Sequence, residues 1–156
     1  MNLWETFEKK NCQLPNAGFS LHFEKGIDSA LRKDYLSLAK WLRHNYIFPE
    51  HIHIYITNQE KVRLLNGELA YGSFRFFANR PPRIKIPSKI ETHLLEEYSL
   101  KDIYEQILSS FIHELTHYFQ YVAGLKQTHA TEERQANYYR YRILEKYYRD
   151  ISQNKN

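Results

Sequence analysis

His113-Glu114-Leu115-Thr116-His117 is the stretch that decides how the rest of the chain is read. On a helix, two histidines four residues apart project from one face one turn apart, close enough to share a tetrahedral metal ion. Glu114 then falls beside the open coordination position, where a carboxylate can take a proton from metal-activated water and later pass it to a leaving group. The spacing points to one zinc ion per chain, held by His113 and His117 with Glu114 as the base.

The flanking residues make the helix. Ser99 followed by Asp102 reads as a capping box, and Ile103, Ile107, Leu108, Phe111, Ile112, Leu115, Phe119 and Val122 recur at helical spacing as far as Gly124, a residue suited to the stop. At about 100° per residue these side chains gather on one side while His113 and His117 point the opposite way, in company with Gln106, Ser109 and Ser110. A histidine needed only for packing would sit within the apolar stripe instead.

Two histidines need a third protein ligand, and two candidates follow. Glu133, sixteen residues after His117, opens a helical stretch from about Thr131 to Tyr148 that begins Glu133-Arg134-Gln135-Ala136-Asn137. An HExxH motif followed by this ExxAN resembles the pattern of gluzincin metallopeptidases, among them the minigluzincins, the HtpX-like membrane peptidases and the ImmA/IrrE-type peptidases. The resemblance implies Glu133 as the third zinc ligand, Ala136 as the small residue that lets two helices approach, and Asn137 as a group orienting a ligand. At that last position the family often has Asp. His129 is the other candidate, because Gly124 to His129 is similar to SprT-like zinc proteins, whose third ligand is a histidine at about this distance and which usually lack a following ExxAN. Metzincins are disfavoured, since Gln120 and Ala123 stand where their longer motif needs Gly and a third His.

Composition bounds the rest. At 156 residues the chain is long enough for one domain with a substantial core and too short for two of ordinary size. Its single cysteine, Cys12, excludes an intrachain disulfide framework, and no cysteine cluster offers a structural zinc site. No apolar run approaches membrane-spanning length, and the first ten residues, with Trp4, Glu5, Phe7 and Glu8, do not read as a signal peptide. The expectation is a cytoplasmic protein without membrane association. A net charge of +4 and a pI near 9.0 permit nucleic-acid or acidic partners without requiring them.

From the N-terminus, Leu3 to Lys10 reads as a short amphipathic clip through Trp4 and Phe7, and Asn11 to Gly18, with Pro15, as irregular. Phe19 to Phe23 alternates as a strand. Asp28 caps a helix whose Leu31, Tyr35, Leu38, Leu42 and Tyr46 form an apolar stripe ending before Pro49. A small sheet is expected from His51 to Thr57, Tyr71 to Ala78 and Arg83 to Pro87, packed on that helix. Ile52, Ile54 and Ile56 alternate with His51, His53 and Tyr55, so one face is buried and the other polar. His51 and His53 share the polar face without a third metal ligand nearby. Asn58 to Gly67 fits either a short helix or one arm of a hairpin turning at Asn66-Gly67.

In gluzincins and SprT-like domains the edge strand of such a sheet borders the active-site cleft. On that resemblance Ser73, Phe74, Arg75 and Phe76 are the candidate substrate rim, able to pair with an extended peptide. The alternative is an inner strand of aromatic core residues. The last helix interleaves Tyr138, Tyr139, Tyr141, Tyr147 and Tyr148 with Arg134, Arg140, Arg142 and Arg149. Such a face either binds nucleic acid or covers the back of the glutamate helix with the arginines lying over the rings. One of these tyrosines is a candidate donor to an oxyanion in the cleft.

The expectation is thus an α+β, zincin-like single domain over residues 1–151 with a frayed tail at 152–156. It combines a small mixed sheet packed on an N-terminal helix, the HExxH helix and a C-terminal glutamate helix. The resemblance implies a zinc-dependent metalloendopeptidase acting on a protein or peptide substrate. Two alternatives stand beside it: a SprT-like, DNA-associated zinc protease, and a non-catalytic zinc-stabilised module that binds a partner protein.

Overall fold

Alternation and helical stripes assemble into four strands of one sheet, a two-stranded ribbon and four helices in a computed structural model that describes residues 3–7 and 18–153. A 3-10 turn at Leu3–Glu5 comes first, followed by β1 (Phe19–Phe23), α1 (Ser29–Asn45) and β2 (Ile52–Thr57). The ribbon strands β3 (Val62–Arg63) and β4 (Leu69–Ala70) precede β5 (Ser73–Arg75), β6 (Arg83–Pro87) and the short α2 (Thr92–Glu97). Two long helices, α3 (Leu100–Val122) and α4 (His129–Gln153), complete the chain as described.

The sheet order is β1-β2-β6-β5, with β1, β2 and β6 parallel and β5 antiparallel to β6, so β5 is an edge. Parallel β1 and β2 need a crossover, and α1 is that crossover. Ile52, Ile54, Ile56, Ile84 and Ile86 are fully buried on one sheet face. They meet Leu31, Tyr35, Leu38 and Leu42 of α1 and Phe111, Ile112, Leu115 and Phe119 of α3, all equally buried, in one continuous core. Each such aliphatic side chain withdrawn from water contributes about 1.5–3 kcal/mol, which is what fixes the register of the strands and the rotation of α3.

Several local expectations are corrected. Asp28 stands at the N-cap of α1, but its side chain makes no capping bond; Oδ2 accepts from the Tyr104 hydroxyl at 2.6 Å instead. That bond is the main reason the Asp28 carboxyl lies below its ordinary pKa. Ser99 does cap α3, accepting from the Asp102 amide at 3.1 Å. At the other end Gly124 takes φ +69°, the left-handed turn that ends the helix, with Leu125 N donating to the Gln120 carbonyl. Residues 58–67 form a hairpin arm and its turn, not a helix: Leu64 N bonds the Glu68 carbonyl at 2.7 Å.

The strand expected over 71–78 shrinks to Ser73–Arg75, because Phe76 and Phe77 leave the β6 ladder. Helix α2 has no counterpart in the sequence reading: it is short and buries none of its residues, so no apolar periodicity announces it. Helix α4 starts at His129 and runs to Gln153, so Ser152 and Gln153 are helical rather than frayed. Of the N-terminal clip, Trp4 is fully buried against Phe119 and Tyr46. Lys10, Cys12, Pro15 and the tail beyond Gln153 lie outside the described residues. Among the described residues no helix is long and apolar enough to cross a membrane.

Candidate metal centre

Helices α3 and α4 pack along each other, and Ala136, fully buried at their contact, is small enough to allow the approach. This brings Glu133, in the second turn of α4, over the histidine face of α3. His113 Nε2 lies 3.2 Å from Glu133 Oε2, and His117 Nε2 lies 2.9 Å from Glu133 Oε1. The three donor atoms all fall within 4.8 Å of one another, and among the described residues no other trio of His, Cys, Asp or Glu does so. Two imidazoles and one carboxylate converging in this way form a group that could hold a metal ion.

The surrounding bonds favour a metal-ready tautomer at His117. Gln120, itself buried, uses its amide hydrogens on the Glu132 carbonyl at 3.0 Å and on Gln135 Oε1 at 2.8 Å. Its oxygen therefore faces His117 Nδ1, 2.8 Å away, which places a ring hydrogen there and leaves Nε2, the atom beside Glu133, as the nitrogen available to a metal. His113 Nδ1 is buried with no full hydrogen bond, while the Asn137 side chain lies close enough to favour the protonated ring. Burial first, and His117 second, nevertheless hold the His113 pKa down to about 4, so the ring is neutral and available as a ligand near pH 7.

Glu114 follows directly. Its side chain is buried, with Oε1 3.9 Å from His113 Nε2. Burial, then the Glu133 charge, push its carboxyl up to about 8, against a lowering pull from Arg140. A dication among these groups would reverse that balance and favour the ionised carboxylate. Gly72, at the entry to β5, allows the closeness: a Cβ built there would stand 3.0 Å from Glu114 Cγ.

The site lies in the wall of a cleft of about 1100 Å³, bounded by α3, the start of α4, the β5 edge and residues of α2 and the ribbon. Ser73, Phe74 and Phe76 line it. Arg75 does not; its guanidinium sits over Phe77 at 4.9 Å instead. His129 borders the cleft as an exposed first residue of α4 but stands outside the three-donor group. None of the α4 tyrosines lines the cleft; Tyr71 and Tyr121 do. Tyr147 is instead buried on Trp41, and Arg142 lies over Tyr138, a packing use of that interleaved face.

Three participants escaped the sequence reading. Gln120 had a signal, being three residues after His117 on the same helix. Arg140, anchored on Ser109 and Ser110, and Glu91, which accepts from the Tyr71 hydroxyl at 2.9 Å, depend on packing between distant segments and had none. On the polar sheet face, His22 from β1 supplies a neighbour that the reading of His51 and His53 lacked: its Nε2 lies 3.0 Å from His53 Nδ1.

Compared with family models, with curated proteins and with solved structures, the chain matches none.

Proposed function

We propose that the chain is a zinc-dependent metallopeptidase of the gluzincin kind, acting in the cytoplasm on a protein or peptide substrate. The observation that carries this reading is the convergence of His113, His117 and Glu133 on one point of a large cleft, with the non-ligand Glu114 buried beside them. The three would hold zinc, and zinc so held polarises a carbonyl and brings the pKa of a water toward neutrality.

The chain's own residues supply the rest. Glu114 is positioned to accept a proton from the attacking water and to deliver it to the leaving amine; its neighbour Gly72 leaves it room to do so. The β5 edge, unpaired on its outer side, can pair with an extended peptide and lay a scissile bond across the histidine face. Tyr121 and Tyr71 are the phenols in the cleft wall, and each would have to leave its carboxylate partner, Glu50 and Glu91 respectively, to donate to an oxyanion.

Both alternatives have less support. A SprT-like site requires His129 as the ligand, whereas the donor group near His113 and His117 includes Glu133 and not His129. A purely structural zinc takes four protein ligands, and this group offers three.

The test is metal analysis of protein purified without added metal, joined to Glu114→Gln assayed on proteins of the native host. One zinc per chain is expected in both proteins, with hydrolysis reduced at least about 100-fold in the variant. Equal hydrolysis by parent and variant would remove Glu114 as base, and four protein donors on the bound metal would favour the structural alternative.

A further inference from the structure

The cleft is chemically lopsided in a way that holding a metal does not require. Beyond His117 its wall is aromatic: Phe74 and Phe76 lie against Tyr121 with ring centroids 5.9 and 4.8 Å apart, and Phe76 remains 61% exposed. One helical turn before His113 the wall is cationic. Arg140 donates from Nε to Ser109 Oγ at 3.3 Å, and from Nη2 to Ser109 at 2.9 Å and Ser110 at 3.2 Å.

Both serine hydroxyls are themselves donors to the Gln106 carbonyl, at 2.8 and 3.2 Å, so their lone pairs are what face the guanidinium. This fixes one edge of the Arg140 plane. Nη1 makes no hydrogen bond, and no carboxylate pairs with Arg140 among the described residues. Hydroxyl dipoles position a guanidinium but do not neutralise it, and although Glu114 feels its charge without pairing with it, the two N–H groups of Nη1 stay open to a carboxylate from outside the chain.

Distance places the missing half. Ser109 precedes His113 by four residues, or about 6 Å along α3, and an extended peptide advances about 3.3 Å per residue. A carboxylate on Arg140 would therefore belong to a residue one or two positions from the bond at the metal.

We propose that Arg140 determines specificity by taking a substrate carboxylate one or two residues from the cleaved bond, while the Phe74, Phe76 and Tyr121 wall takes a large apolar side chain on the other side. The assignment rests on the peptidase reading above and names its substrate class. The carboxylate is either an acidic side chain or the free C-terminus of the peptide. A mere clasp joining α3 to α4 would show no preference among ligands.

Binding and cleavage are measured separately. Peptides carrying Phe and, within three positions in either order, Glu, Gln or Lys, together with versions ending there as free acid or amide, are titrated onto zinc-loaded Glu114→Gln protein by fluorescence anisotropy and assayed for hydrolysis by the parent. Peptides with a carboxylate should bind and react at least about tenfold better than their neutral partners, an advantage that fades with salt. The Glu and free-acid arms distinguish the two sources. Arg140→Gln should erase the preference, and Arg140→Glu should transfer it to Lys.

Equal treatment of acidic and neutral peptides by the parent would overturn the inference without need of any variant. So would a preference that survives in Arg140→Gln, or a uniform weakening of every peptide together with a lowered Tm. If carboxylate peptides bound selectively and none were cleaved, the peptidase reading would fall and the role of Arg140 would stand.

Discussion

Glu114 is an acid that the metal-free protein holds against its nature. Its folded pKa of about 8 lies above the ordinary 4.5, chiefly through burial, so the folded state binds the proton more tightly than the unfolded chain. The stabilisation this represents is complete below pH 4.5 and is lost as pH rises through about 8. His113 runs the other way: with its folded pKa at about 4, below the usual 6.5, its contribution is lost as pH falls. The two effects separate above pH 6.5, where the Glu114 carboxyl alone changes. Metal-free parent should therefore lose up to about 2 kcal/mol between pH 6.5 and 8 relative to Glu114→Gln, measured by urea unfolding of both. Parallel curves for the two proteins would show that the carboxyl is not buried as described. At the same scale, Glu133→Ala should weaken zinc affinity at least about tenfold while His129→Ala changes it little, because only the first removes a donor from the group. The opposite ranking in a competition titration would move the third ligand to His129.

Helix α3 serves two masters, since its apolar face builds the core and its polar face builds the site. Trp4 ties the two together: it packs on Phe119 with ring centroids 4.6 Å apart, and its Nε1 donates to Thr116 Oγ1, inside the HExxH motif, at 3.2 Å. Trp4→Ala should lower unfolding free energy by about 3–5 kcal/mol and loosen zinc along with it; unchanged stability would mean the turn is not docked. Gly72→Ala tests the other side of the motif, where the added methyl would crowd Glu114 from 3.0 Å. Hydrolysis should fall while zinc content and Tm hold, which separates the base from the ligands. Much of this element-level design was legible in the sequence, because α1, α3, β2 and β6 carry long runs of one period. The capping role of Asp28 was misread because a buried phenol from a segment 76 residues away competes for the same carboxylate. Short elements such as α2 and the ribbon strands have too few residues for a period to appear, and turn chemistry alone marked Asn66-Gly67.

At the scale of the whole molecule, the site sits where the chain's second half folds back on itself. The HExxH and ExxAN motifs were readable as separate pieces, and the sheet order that makes β5 an edge was not, since nothing in a strand's own residues states which neighbour it takes. Arg140 shows the same limit: its meaning depends on Ser109 and Ser110, about 30 residues earlier and on another helix. Joining α3 to α4 through His113, His117 and Glu133 has a thermodynamic consequence. An ion that binds the folded chain and not the unfolded one adds RT ln(1 + [L]/Kd), about 4 kcal/mol at a free concentration a thousand times Kd. Zinc should therefore raise the Tm of the chelator-stripped protein in proportion to the logarithm of its free concentration, and the rise should vanish in His113→Ala/His117→Ala. Because a ligating imidazole must be neutral, the zinc-dependent part should also shrink once pH falls far enough to protonate His113, whose pKa burial holds down to about 4. A Tm insensitive to zinc in the parent, or a rise of equal size in the double variant, would dissolve the link between the two helices and with it the metal centre.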